Sequence, residues 1–113
     1  MKQLPDGTRI ANLTTQTVRF LDVQNGDVVD IAPEPSAPLR LPMTYAPVLG
    51  RRYIQRTAFG TTALPSIEPD LYYIVPAVVK THCPERDDFV VPNRIIRGQR
   101  GNGDPLVCQG FAV

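Results

Sequence analysis

Ten arginines outnumber two lysines, Lys2 and Lys80, and the guanidinium groups cluster. Arg51, Arg52 and Arg56 fall in one run, RRYIQRTAF (51–59), whose composition reads as a strand. Strand alternation puts Arg52, Ile54 and Arg56 on one face and Arg51, Tyr53 and Gln55 on the other. Arg52 and Arg56 would then stand about 13 Å apart, enough to hold two ends of a ligand but not one phosphate. Arg86 lies in the polar corner ERDD (85–88), and Asp88, two residues on, can orient its guanidinium fork. Arg94, Arg97 and Arg100 add charge toward the C-terminus. Tyr53, Tyr72 and Tyr73 supply rings for stacking. The expected ligand-binding set is Arg52, Arg56, Tyr73, Arg86 and Asp88, and the ligand such a set suits is a phosphorylated nucleotide. The competing reading is a solvated basic face paired with Asp87, Asp88 and Glu68, each pair contributing little.

Other chemistry finds less material. No GxSxG, phosphate-binding glycine loop, HExxH or calcium-loop pattern is present. Ser36 and Ser66 both sit in proline-rich loops, and the single histidine, His82, has no carboxylate at helical spacing to orient it. Asp87 and Asp88 are adjacent, so on a strand they point to opposite faces and in a turn both meet water. Cys83 and Cys108 are not in a CxxC, and with His82 they make too few ligands for a tetrahedral zinc site. Two reduced thiols are expected, with Cys108 a small core residue in LVCQGFAV. No catalytic residues, metal or cofactor are expected, and the protein reads as a non-enzyme. Asn12-Leu13-Thr14 ends the first strand, where Asn and Thr side chains cap turns through backbone hydrogen bonds.

The elements that must position these groups are short. Runs 8–13, 17–23 and 28–32 read as strands, the last two joined across Asn25-Gly26, a hairpin signal for a tight type I′ turn. PEPSAP (33–38) is an extended connector. Residues 39–41 have the length of a short edge strand, and the stretch around Pro42, Pro47 and Gly50 reads as irregular. Arg51–Phe59 follows, closed by Gly60, with 61–64 continuing after a bend. LYYIV (71–75) is a buried strand. Residues 76–82 read as a two-turn helix started by Pro76 and stopped by Pro84, the competing reading being one long strand with a bulge at Pro76. FVV (89–91) precedes Pro92, and RIIR (94–97) pairs with 106–113 across the glycine-rich loop 98–104.

The chain has 113 residues, 42% hydrophobic and 20% charged. That is one domain, spanning 1–113, with enough length for a core. Twelve prolines leave little room for long helices. The fold expected is mainly β, a compact antiparallel barrel or sandwich of seven to eight short strands with one short helix. A net charge of +1 makes neither nucleic acid nor membrane the default partner. No apolar run reaches the length of a membrane span, and the N-terminus lacks an apolar export region, so a cytoplasmic location is expected.

Several short motifs occur in a characteristic order. They are Asn12-Leu13-Thr14, Arg56-Thr57-x-Phe59-Gly60 with Leu64-Pro65, Tyr73-Ile74-Val75, Pro84-Glu85-Arg86-x-Asp88-Phe89 with Pro92, and Cys108-x-Gly110-Phe111. Together they resemble the small "N-L-T" proteins of bacteria, prophages and tailed phages, over nearly the whole chain. Pro76 departs from the small polar residue expected after Tyr-Ile-Val. The resemblance implies a phage or mobile-element accessory protein and no catalytic residue set. By analogy with small β-rich phage proteins, it points to a homo-oligomer in the host cytoplasm that counters host defence by sequestering a small nucleotide signal. The alternative is an inhibitor or structural adaptor that binds a host defence protein through a sheet edge or loop.

Overall fold

Prolines and glycines cut the chain into strands of two to seven residues. The structure, a computed structural model, describes residues 1–35, 37–59, 63–96 and 105–113, the side chains of 57–59 excepted. The strands are β1 (Lys2–Gln3), β2 (Arg9–Asn12), β3 (Val18–Asp22), β4 (Asp27–Ile31), β5 (Met43–Pro47), β6 (Gln55–Phe59), β7 (Leu71–Ile74), β8 (Phe89–Ile95) and β9 (Leu106–Ala112). One short helix, α1 (Ala77–His82), follows β7 with Pro76 at its N-cap, where a missing N–H costs nothing.

Seven strands make one barrel-like, nearly closed sheet in the order β1-β2-β7-β8-β9-β3-β4. This is the mainly β domain with one helix that the residue pattern predicts. Its pairing differs from the antiparallel expectation: β2–β7, β7–β8 and β3–β9 are parallel. The reason lies in the connections. β7, α1 and β8 form a strand–helix–strand crossover, and such a crossover returns the chain in the same direction. The long segment between β2 and β7 does the same for that pair.

The β3–β4 hairpin forms where Asn-Gly predicts it, but by a different turn. Asp22 faces Asp27, so the loop has four residues, and only Gly26 takes positive φ (74°). The Asp22 carboxylate accepts the N–H groups of Gln24 and Asn25 and the Asn25 side-chain amide. Those bonds favour an open Asx-type turn over the two-residue type I′ form. β8 runs through Pro92 rather than stopping before it, because Pro92 lies beyond the last β7 pairing, where a lost N–H is tolerated. Residues 39–41 form no strand; Leu39 and Leu41 instead pack on the core. The loop 98–104, with Arg97, Arg100, Gly60 and residues 61–62, lies outside the described residues.

Two apolar clusters fill the body. Tyr73, Val75, Val79, Cys83 and Phe89 centre one; Ile10, Val18, Ile31, Ile74, Val90 and Cys108 centre the other. Adjacent residues such as Tyr73 and Ile74 serve different clusters because strand side chains alternate. Both cysteines are free and buried, one in each cluster, and burial pushes the Cys108 thiol up.

Asn12 closes the seam between the ends of the sheet. It is completely buried, and its amide donates to Ile31 O (2.9 Å) and Gln16 O (2.7 Å). Its Oδ1 accepts the Thr14 N–H (2.9 Å) and hydroxyl (2.6 Å). All its hydrogen-bonding directions are therefore met, the condition for burying an amide at low cost. The Asn-Leu-Thr motif is a structural clasp, as its residue types predict.

Candidate functional site

The five expected site residues separate into two groups. Tyr73, Arg86 and Asp88 meet inside the body; Arg52 and Arg56 stand apart on a projecting hairpin.

In the body, the turn after α1 brings Arg86 back over the Phe89 ring, 4.4 Å from its centroid. Arg86 donates from Nε to Asp88 Oδ1 and from Nη2 to Asp88 Oδ2, both at 2.8 Å. Nη2 also donates to Pro65 O at 2.7 Å. Both side chains are 10% exposed. The fork raises the guanidinium pKa and holds the Asp88 carboxyl below the usual carboxylate range, hydrogen bonding outweighing desolvation in each case. Tyr73 meets Phe89 edge-on and donates its hydroxyl to Ser66 O at 2.9 Å. Burial pushes the Tyr73 phenol up. Asp88 thus orients Arg86 as expected, but both Arg86 and Tyr73 fasten the 65–66 loop to the body. Phe89, which sequence reasoning left out, is the surface on which they converge.

The hairpin is β5 and β6, paired from Met43–Phe59 to Pro47–Gln55. Val48 N–H extends the ladder to Ile54 O, and Val48 O accepts the Arg51 N–H around Gly50 at φ 76°. A strand over 43–47 was not expected, because Pro42 and Pro47 disguise it; Pro47 is tolerated as its last residue. The predicted strand 51–59 begins only at Gln55, so Arg52 lies in the turn and the face-sharing of Arg52 with Arg56 does not hold. Arg52 sits 5.7 Å from the Tyr53 ring centroid, and Arg51, Arg52 and Arg56 are all exposed. The two strands pack chiefly on each other. The radius of gyration is 16.6 Å, against about 13 Å for a compact chain of this length.

Exposed on this arm are Met43, Tyr45, Leu49, Tyr53 and Ile54, with Leu49 at 99% and Tyr53 at 86%. One signal in the sequence marks the segment. Positions 35–67 hold four arginines, Arg40, Arg51, Arg52 and Arg56, and no lysine, aspartate or glutamate. The remaining residues carry eight basic and eleven acidic groups, a formal −3 against +4 for the segment.

Concavities lie elsewhere on the molecule. A cavity of about 590 Å³ at the base of the arm has Glu34, Glu68 and Arg40 as its charged lining, with Glu34 paired to the Met1 amino group. A smaller groove of about 260 Å³ is lined in part by Ile67, Tyr72, Glu68, Asp70, Glu85 and Asp87. Among the described residues no group of His, Cys, Asp and Glu converges as a metal site, and no helix is long and apolar enough to cross a membrane.

No family model, curated protein or solved structure matches this chain.

Proposed function

We propose that this is a non-enzymatic protein-binding module, an adaptor or inhibitor, whose working surface is the β5–β6 arm. The observation that carries the reading is the arm's composition: exposed Tyr, Met, Leu, Ile and Arg with no Lys, Asp or Glu. Interface cores are enriched in aromatics, Met and Arg and depleted in those charged residues. A two-stranded ribbon is marginal alone in water, so a covering partner would supply what the arm lacks. The buried carboxylate Asp88 is committed to Arg86, which leaves it unsuited to proton transfer. The proposed setting, an accessory protein of a phage or mobile element acting against host defence, rests on the motif resemblance.

The test is a photo-reactive residue at Tyr53 compared with one at Gln24, an exposed turn position on the body. Cross-links to protein should form from position 53 and not from 24. Cross-links to nucleic acid, equal yields at both positions, or none from 53 would overturn the reading.

Sequestration of a phosphorylated nucleotide is the second reading, favoured by Arg52 beside Tyr53 with Arg51 and Arg56 nearby. An ultraviolet-absorbing ligand that co-purifies with the parent and is lost in Arg52→Ala/Arg56→Ala would establish it. Absence of such a ligand, or its retention by the variant, would remove it.

A further inference from the structure

Resting on the reading of the arm as a protein-binding surface, we infer that its partner is a second copy of this chain, each arm seating in the acidic groove of the other. The charge distribution leads there. The arm presents Arg51, Arg52 and Arg56 beside Leu49 and Tyr53, all exposed. The groove presents Glu68, Asp70, Glu85 and Asp87, all exposed, beside Ile67 at 71% and Tyr72 at 37% exposure. Apolar groups flanked by guanidinium thus face apolar groups flanked by carboxylate. Like-with-like pairing of two arms would bring six guanidiniums together with no carboxylate among them, and opposed like charges select against it. Five residues of strand reach about 17 Å beyond the arm's base. Arm and groove are different patches, and with each arm seated in the other copy's groove the two reciprocal contacts close a two-fold pair.

The contact has an electrostatic component that salt screens, since the Debye length falls from ~10 Å at 0.1 M to ~3 Å at 1 M. Sedimentation or light scattering up to ~0.2 mM protein should find a dimer at 0.1 M salt whose dissociation constant rises at least ~10-fold at 1 M. Arg51→Glu/Arg52→Glu/Arg56→Glu and Glu85→Arg/Asp87→Arg should each be monomeric. All five positions are exposed, so both variants should melt like the parent, which melting curves on the same samples check. Mixed together, the two variants should restore a one-to-one complex, joined by one arm–groove contact of reversed charge and one of native charge. A monomeric parent, a dimer indifferent to both reversals, or reversed variants that fail to associate on mixing would overturn the inference. The photo-cross-linking separates the two levels. Heterologous protein cross-links from Tyr53 with a monomeric parent leave the arm a docking surface and remove only the self-pairing; no protein cross-links remove both.

Discussion

Among the described residues two guanidinium groups lie over aromatic rings, and their surroundings are opposite. Arg86 sits 4.4 Å from the centroid of Phe89, locked to Asp88 and Pro65 and nearly out of water. Arg52 lies 5.7 Å from the centroid of Tyr53 on an exposed turn. A cation–ring contact alone therefore does not reveal a binding role. What separates the two is the fate of the other donors: at Arg86 they bond a buried carboxylate and carbonyl, whereas the Arg52 side chain stands in solvent on an arm without carboxylates. At Arg86 the body uses a buried charge to hold a loop, and at Arg52 the arm presents its charge outward.

The sharpest way to break this contrast is to remove each guanidinium. Arg86→Ala leaves Asp88 buried without its partner, a loss of about 3–5 kcal/mol. The melting temperature should fall by more than ~10 °C. Arg52→Ala should leave stability within about 0.5 kcal/mol of the parent. Equal melting temperatures for the two variants would erase the distinction between body and arm.

Asn12→Ala tests whether the clasp belongs with the body's buried polar bonds. It strips Ile31 O and Thr14 N–H of a partner, and a buried group left unsatisfied costs ~1–3 kcal/mol. A chemical denaturation midpoint unchanged from the parent would show that the seam is not held there.

Acid sharpens the comparison further. The folded Asp88 pKa is depressed, chiefly by the Arg86 hydrogen bonds, so its stabilisation is complete above the unfolded value near ~4. It drains away as pH falls through the lower folded value. Melting curves from neutral to strongly acidic pH should show a steeper loss in the parent than in Asp88→Asn, which starts less stable. The smallest effect on stability belongs to the arm. Tyr53→Ser and Leu49→Ser should leave the melting temperature nearly unchanged, since both side chains stand in solvent. Amide exchange should be rapid in β5 and β6 of the monomer and slow in β7–β9, because opening free energies follow burial.

The local chemistry was readable from residue types. Asn12 and Thr14 at a strand end predict side-chain capping, Pro76 predicts the helix start, and Arg86 with Asp88 two residues on predicts the fork. What stayed hidden depends on partners distant in sequence. Pro65 O, which takes the third Arg86 bond, lies 21 residues away, and nothing in its residue type announces an acceptor. Parallel pairing was missed because alternation reports which face a strand buries and not which neighbour it joins. The arm was misread for a related reason. Tyr53 and Ile54 look like core residues in any strand pattern, and only the missing carboxylates from 35 to 67 set the segment apart.

The place of β9 bears on how the chain comes off the ribosome. This strand lies between β8 and β3, and its parallel partners Val18–Phe20 emerge long before it. Until residues 106–112 arrive, the β3–β4 hairpin lacks its β9 ladder and meets the β2–β7–β8 unit at the Asn12 seam. Closure of the sheet therefore waits for β9, and a nascent chain that stops short of it displays two unpaired strand edges to chaperones and proteases.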